Sequence, residues 1–184
     1  MSELQAELRA LHARLDQQLQ SDWQRSLPLD EHVSDRWERA RALGFGEGSS
    51  IYAASYVYGD VTVGEGTWIG PFTVLDGSGG LRIGSHCSIS SGVHLYSHDT
   101  VKWALSGGVA EYERSPVEIG DCCYVGPQTI VVRGVTVGHH SVVGGGSFVN
   151  RDVEPYSVVV GSPCRRIGRV EIDGDRIDLL IDRE

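Results

Sequence analysis

The sequence predicts a mainly β protein whose central part is a parallel β-helix, a coil of short strands joined by tight turns. Two columns of residues, each repeating every six positions, support this prediction. The second column follows the first by four residues and contains only small or β-branched side chains, from Ser55 to Ser147. The first column contains only Ile, Leu and Val: Ile51, Val57, Val63, Ile69, Leu75, Ile83, Ile89, Leu95, Ile119, Val125, Val131, Val137, Val143 and Val149.

A period of six fits neither the 3.6-residue helix nor the two-residue alternation of a flat strand. In a coil, the aliphatic residue fills the interior and the small residue lies where the chain bends inward at a corner. Three hexapeptides close one triangular turn, so the repeat predicts about five stacked coils. Cys87 and Cys123 fall in the small inward column and are expected to be packing residues, and no cysteine spacing indicates a metal site or a disulfide framework.

The length and the net charge of the chain limit the kinds of protein that it can be. The chain has 184 residues, the length of one domain, and a formal net charge of −9. That charge argues against nucleic-acid binding, which needs a basic face. No apolar run reaches the roughly 18 residues of a membrane span, and the N-terminus is not a signal peptide. We therefore expect no membrane insertion and a cytoplasmic location.

Both ends of the chain differ from the repeat. Residues 1–48 are predicted to be a helical segment, 49–168 the coil, and 169–184 a β-hairpin turning at Asp173-Gly174. Leucines at three- and four-residue spacing predict an amphipathic helix over residues 3–23, ended by Pro28. This helix is expected to cap the coil or to mediate assembly.

A second helix is predicted from Asp30, as a plausible N-cap, to Leu43, before Gly44. Its apolar residues Val33 and Trp37 are expected to be buried. No chemistry is assigned to either end of the chain, and no metal site is expected.

The repeat fails between Leu95 and Ile119, which predicts an extruded loop at residues 97–117. A long loop ejected from a regular scaffold is usually functional. The coil is filled with side chains and offers no internal pocket. The site is therefore expected in an outside groove, between this loop and a neighbouring subunit.

Two segments carry a family resemblance: YSHDT at the start of the loop, and the stretch from PVEIGDCCYVGPQ to SPCRRIGR after it. Over residues 51–169 the chain resembles the hexapeptide-repeat acyltransferases, most of all the maltose or galactoside and the O-antigen or lipopolysaccharide O-acetyltransferases. The resemblance implies a left-handed coil, a homotrimer with active sites at subunit boundaries, and acetyl-CoA as cofactor. It makes His98 the general base, a role that suits histidine at neutral pH.

The same resemblance implies a cofactor site. Gly145 matches the position whose backbone lies against the pantetheine arm, and Arg166 or Arg169 would replace the family's phosphate-binding arginine, whose place is nearest Gly168. The full set of expected cofactor residues is Gly126, Gly144, Gly145, Asn150, Arg151, Arg166 and Arg169.

For the acceptor, the resemblance favours a sugar hydroxyl, in surface-polysaccharide assembly. Candidate substrate contacts are Asp76, His94 and Tyr124, the last standing where the sugar acetyltransferases usually have tryptophan. Candidates to orient the His98 imidazole are Asp99, Glu111 and Glu113. Alternatives are N-acetylation of an amino sugar, a zinc enzyme like the γ-carbonic anhydrases, and a non-catalytic scaffold. A long-chain acyl donor is disfavoured because no extra apolar segment lies near the groove.

Overall fold

A computed structural model describes residues 2–182 and confirms the predicted fold class, a left-handed parallel β-helix. Short parallel strands stack into three faces. The first face runs, in order, through β1 (Ser50–Ile51), β3 (Trp68–Ile69), β5 (Ser88–Ile89), β10 (Tyr124–Val125), β13 (Val142–Val143) and β15 (Ser157–Val160).

Two long strands bend around a corner and so serve two faces each: β2 (Tyr56–Val63) and β4 (Val74–Ile83). Their first halves begin the second face, which continues through β6 (His94–Tyr96), β11 (Ile130–Val131) and β14 (Phe148–Val149). Their second halves begin the third face, which continues through β9 (Val117–Ile119) and β12 (Thr136–Val137) to a bridge at Val153. The coil therefore has five complete turns, with β15 beginning a sixth.

Both predicted columns point into the coil. Every aliphatic residue of the first column is buried except Val57, which is partly buried. Hydroxyl groups of the second column bond to backbone carbonyls of the next coil, as Ser55 Oγ does to the Gly70 oxygen at 2.9 Å and Thr67 Oγ1 to the Gly84 oxygen at 2.8 Å. Such hydrogen bonds offset the burial of these hydroxyls, except at Thr73, whose buried Oγ1 has no partner in the described part of the chain.

The N-terminal segment contains three helices rather than two. The first, α1 (Glu3–Trp23), is confirmed, and it begins with a capping box between Ser2 and Gln5. The predicted single helix from Asp30 to Leu43 is wrong, because the chain forms α2 (Leu29–Val33) and α3 (Arg36–Ala42) instead.

The break between α2 and α3 has a local cause. The Asp35 carboxylate accepts hydrogen bonds from the backbone nitrogens of Trp37 at 2.9 Å and Glu38 at 2.8 Å, so it starts a new helix. Val33 and Trp37 are 64% and 43% exposed, which contradicts their predicted burial.

The third helix fastens the segment to the first coil. The Arg39 guanidinium donates to the carbonyl oxygens of Tyr52 and Ser55, the latter at 2.7 Å, and burial lowers its pKa. Ala40 on the same helix is buried in the core cluster. This helix therefore covers the open edge of the first face.

At the other end, β16 (Arg165–Asp173) pairs antiparallel with both β15 and β17 (Arg176–Ile181). The predicted hairpin is present, but its first strand begins at Arg165 rather than at residue 169, because it continues the first face of the coil. Within residues 2–182, no helix combines the length and the apolar character needed to cross a membrane.

The extruded loop has structure of its own. It contains β7 (His98–Asp99), the short helix α4 (Val101–Leu105) and β8 (Glu113–Arg114), and β7 pairs antiparallel with β8. The loop leaves the coil at the corner between the second and third faces of the third turn. The extra residues at Gly77 to Gly80 in β4 lie at the same corner, one turn earlier.

Candidate active site

His98 begins the extruded loop and lies against a buried carboxylate. Its Nδ1 is 2.5 Å from Oδ2 of Asp76, whose side chain is 2% exposed, whereas the imidazole is 30% exposed. An ionised carboxylate only accepts hydrogen bonds, so Nδ1 must carry the proton. The other ring nitrogen, Nε2, therefore keeps its lone pair free, which is the form that a general base requires.

Asp76 is held by several donors. The Ser78 hydroxyl and backbone nitrogen donate to Oδ1 at 2.5 and 3.0 Å, and the Ser97 nitrogen donates to Oδ2 at 3.1 Å. Burial alone would raise the pKa of Asp76, but the hydrogen bonds from Ser78 and His98 outweigh it and bring the pKa below the usual value. The carboxylate is therefore ionised at neutral pH.

The orienting carboxylate differs from the expected ones. Of the three candidates for this role, Asp99 and Glu113 bind the guanidinium of Arg133 instead, and Glu111 is exposed. Asp76, expected as a substrate contact, lies behind the imidazole. The sequence contained a signal for this position of Asp76. Asp76 directly follows the inward Leu75, just as Tyr96 directly follows the inward Leu95, so the two residues are register partners on adjacent coils.

Arg133, which sequence reasoning missed, joins the loop to the coil. It lies one turn beyond the loop, at the corner after β11. Its side chain binds Asp99, and its Nη2 donates to Oε2 of Glu113 at 3.0 Å. The guanidinium holds the pKa of Asp99 below its usual value, and Asp99 in turn raises the pKa of Arg133. Lys102 adds a bond to Glu113 at 2.8 Å, so both loop strands are anchored.

Aromatic side chains line the loop beside His98. The ring of Tyr112 lies 6.3 Å from the His98 ring, and Trp103 packs edge-on against Tyr112 at 5.8 Å. On the second face, His94 is half-buried, and its Nδ1 lies 3.1 Å from the hydroxyl of Tyr96. His98 thus lies beside a pair of aromatic rings that belong to the loop.

The expected cofactor glycines lie at the opposite edge of the second face, at the corner that precedes β11 and β14. A Cβ on Gly126 would be 2.5 Å from the Gly145 nitrogen, and one on Gly144 would be 2.6 Å from Cγ1 of Val160. Stacking of the coils therefore already requires glycine at Gly126, where the close atom is backbone, whereas at Gly144 a Cβ would meet a side-chain methyl group. Gly145 is exposed, and a Cβ on Gly146 would meet open space.

The remaining expected residues are spread over the surface. Asn150 and Arg151 are exposed at the same edge as His98, two turns further along, and Tyr124 is 42% exposed on the first face. Arg169 pairs with Glu171 at 2.6 Å, and Arg166 bonds the Gly168 carbonyl at 3.1 Å. Within one chain, the structure does not bring the His98 edge and the glycine edge together.

The cysteines are free thiols in the part of the chain that the structure describes. Cys87 and Cys123 are buried, and their sulfurs lie 3.1 and 3.2 Å from the carbonyl oxygens of Gly120 and Gly138. The pKa of the Cys123 thiol is raised by the neighbouring Cys87 and by burial. Both thiols fill the coil interior.

The fold and the site together define a class of protein. Its members have a three-sided β-helix and one extruded loop, and the loop carries a histidine bonded to a buried carboxylate. No family model matches the chain. Chloramphenicol acetyltransferase of Agrobacterium fabrum is 33% identical over 125 residues, which cover 58% of this chain and 59% of that protein. The tetrahydropyridine-2,6-dicarboxylate N-succinyltransferase of Xylella fastidiosa is 37% identical over 100 residues, which cover 54% of this chain and 31% of that protein.

Among solved structures, the hexapeptide-repeat acetyltransferase of Vibrio cholerae in complex with acetyl-CoA superposes with a TM-score of 0.58. It is 26% identical in sequence, and the match covers 93% of this chain and 91% of that one. The chain matches less than two thirds of the length of these two curated relatives. The similarity to the hexapeptide-repeat acyltransferases is thereby confirmed.

Proposed function

We propose that the chain is an acetyl-CoA-dependent acetyltransferase that acts on a hydroxyl group of a sugar, with His98 as its general base. The observation that carries this proposal is the 2.5 Å contact between His98 and the buried Asp76. The named activities of the relatives, and the acetyl-CoA bound to the V. cholerae protein, support the donor.

Acetyl-CoA, when bound, supplies an activated acetyl thioester. Nε2 of His98 would accept the proton of the acceptor hydroxyl while the hydroxyl oxygen bonds to the acetyl carbonyl carbon. It would then return that proton to the sulfur as the carbon–sulfur bond of the thioester breaks. Asp76 keeps Nδ1 protonated and stabilises the imidazolium that forms between these events. General-base assistance of this kind accelerates a reaction about 10²- to 10⁴-fold.

Residues at the glycine edge fit an extended cofactor arm. Gly145 and Gly146 are exposed, and the space where a Cβ of Gly146 would project is open. A narrow chain can therefore lie directly on the backbone at Gly146, whereas the Cβ position of Gly145 is 3.1 Å from the carbonyl oxygen of Pro127. Asn150 and Arg151 are exposed at the other edge, that of His98, where their polar groups are available to the outer part of the cofactor.

A complete site on this plan requires a second copy of the chain. His98 and Gly145 lie at opposite edges of the second face, so one subunit would supply the histidine and its neighbour the glycine strip. The outward residues of the second face support such packing, because four are apolar: Tyr56, Val74, Ile130 and Phe148. Those of the third face are polar and exposed: Thr62, Arg82, Glu118, Thr136 and Asp152. We infer a homotrimer with three shared sites.

The hydroxyl acceptor rests on the loop segment that resembles sugar O-acetyltransferases. An amine acceptor on an amino sugar is the second candidate, and transfer to nitrogen, though not to a sugar, is what the name of the N-succinyltransferase among the relatives states. The same base serves oxygen or nitrogen. The four free thiols, Cys87, Cys122, Cys123 and Cys164, fit a reducing compartment, and we assign the chain to the cytoplasm.

The test is release of free coenzyme A from acetyl-CoA with a panel of sugars, amino sugars and nucleotide sugars. A hydroxyl sugar should be acetylated by the wild-type protein, and His98→Ala should lower kcat/KM at least about 10²-fold. The matched control is His86→Gln, because His86 is an exposed histidine that lies 3.6 Å from Glu65 on another corner. Acetylation of amino sugars alone would favour the second candidate. Absence of acetyl-CoA binding in calorimetry would leave the scaffold interpretation.

A further inference from the structure

A cluster of possible metal ligands lies outside the coil, where α1 meets α2. His12 and Asp16 are four residues apart on α1 and so share one side of that helix. His32 belongs to α2. One potential ligand atom from each of the three residues lies within 4.8 Å of the others, and this is the one such group within residues 2–182.

His32 is the most informative member. Its side chain is 1% exposed, and its Nε2 has no hydrogen-bond partner in the described part of the chain. Oδ1 of Asp16 is likewise buried and unpartnered there, and it lies 3.6 Å from that nitrogen. A buried polar atom without a partner is costly, so two facing each other need an explanation.

The spacing fits a shared cation. Two ligands on one tetrahedral zinc ion, with bonds of about 2.0–2.1 Å, lie about 3.3 Å apart. The 3.6 Å between His32 and Asp16 is close to this distance, and it exceeds the usual length of a hydrogen bond.

One ring nitrogen of His12 has a partner outside the cluster. Its Nε2 lies 3.3 Å from the Leu27 carbonyl oxygen, which can only accept, so Nε2 is the protonated nitrogen. Its Nδ1 is then the nitrogen with a free lone pair. Metal-binding histidines usually donate their second ring nitrogen to a carbonyl or carboxylate in this way. The His12 and His32 rings meet edge-on, with centroids 5.0 Å apart.

We propose that His12, Asp16 and His32 bind a divalent transition metal ion, with Zn²⁺ as the preferred occupant and water as a fourth ligand. Two imidazoles and one carboxylate are a donor set that zinc accepts. The ion would clamp α2 onto α1, and so fix the direction in which the long helix leaves the coil. It takes no part in the acyl transfer proposed above, so either proposal can fail without the other.

The test uses the full chain, treated with a chelator and then titrated with Zn²⁺ against a chromophoric competitor. We expect about one ion per chain, a higher melting temperature with zinc, and the visible absorption of a tetrahedral site when Co²⁺ replaces it. His12→Gln, Asp16→Asn and His32→Gln should each weaken binding at least about tenfold.

His86→Gln is the control, since His86 also lies 3.6 Å from a carboxylate, that of Glu65, but on the exposed surface and without a third ligand. It should bind zinc as the wild type does. Circular dichroism checks that each variant is folded. If the variant of the buried His32 is unfolded, the result for Asp16→Asn decides the test. Binding below one ion per chain in the wild type, or equal weakening in the His86 variant, would overturn the proposal and leave a metal-free histidine–aspartate pair.

Discussion

Nδ1 of His98 lies 2.5 Å from Oδ2 of Asp76, although 22 positions of sequence separate the two residues. They meet because Asp76 directly follows the inward Leu75 and His98 comes three residues after the inward Leu95, at the same corner of adjacent coils. The carboxylate is buried and ionised, and it sets which ring nitrogen carries the proton. The stacking of the coils thus brings together two residues that are far apart in the sequence.

We expect Asp76→Asn to lower kcat at least about 10²-fold, with little change in the KM for acetyl-CoA. An amide can donate to Nδ1, which would stabilise the opposite tautomer and move the proton to Nε2. Steady-state kinetics on the acceptor found by screening measure this. Asp175→Asn, at an exposed position in the hairpin turn, serves as control and should behave as the wild type. A fall in acetyl-CoA affinity with unchanged kcat would assign Asp76 to binding instead.

The same variant should change stability in a pH-dependent way. The pKa of Asp76 in the folded chain lies below its ordinary value, near 3.9 in an unfolded chain. Its stabilisation is therefore present above that ordinary value and is lost as the pH falls through the folded-state pKa. At pH 7 we expect Asp76→Asn to cost about 1–3 kcal/mol of unfolding free energy, as for other buried hydrogen-bonded groups.

Denaturant unfolding at a series of pH values checks this. The difference between wild type and Asp76→Asn should begin to shrink as the pH falls below about 4, where the unfolded chain takes up the proton, and should level off only below the lower folded-state pKa, where both side chains are neutral. A constant difference from pH 7 to pH 3 would mean that the carboxylate charge contributes nothing and that only its shape matters.

Arg133→Gln should loosen the extruded loop. The variant removes the ion pairs with Asp99 and Glu113, which hold β7 and β8 to the coil. We expect faster tryptic cleavage after Lys102 in the loop, measured by mass spectrometry, and weaker binding of the acceptor. Arg82→Gln, on the exposed third face, is the matched control. Equal cleavage rates in both variants would show that the loop is held by other contacts.

Stability should depend on the coil and hardly on the loop. Leu95 is completely buried in the core, and Leu95→Ala should cost about 2–5 kcal/mol of unfolding free energy. Leu105, in the loop, is 84% exposed, so Leu105→Ala should change stability by less than about 0.5 kcal/mol. Chemical denaturation compares the two leucine truncations directly, and similar losses would contradict the assignment of the core.

A shared active site predicts complementation between two inactive variants. His98→Ala removes the base, and Gly145→Trp is designed to block the glycine strip on which the cofactor would lie. In mixed trimers, a site is intact where the loop of the Gly145→Trp chain faces the strip of the His98→Ala chain. Random mixing of equal amounts should restore about a quarter of the wild-type sites. If each subunit holds a complete site, mixing will restore no activity.

Most of the fold could be predicted because the coil repeats a local rule. Inward positions such as Leu75 and Leu95 recur at a fixed period, and every coil must meet the same packing condition. The helix break at Asp35 was missed although its signal is local, since Asp35 and Glu38 have the spacing of a helix start. The apolar residue Val33 was expected to be buried, but so short a segment offers little surface against which to bury it.

The site was harder to predict than the coil. His98 stands out because the repeat fails beside it, whereas Asp76 and Arg133 become recognisable only once residues are assigned to faces and corners. The ion pair of Arg133 with Asp99 spans 34 positions, and no sequence pattern marks it. Long-range pairs of charged side chains depend on rotamers, which a periodic pattern does not determine.

The corner between the second and third faces accepts extra residues in two successive turns, a few at Gly77 to Gly80 and some twenty in the extruded loop. On either side of the loop, β6 and β9 keep their normal parallel partners. Residues 100–112 contribute no buried side chain to the described structure. Residues 100–112 can therefore be exchanged at little cost to the scaffold, and the corner is a natural point at which to graft loops of other lengths and sequences.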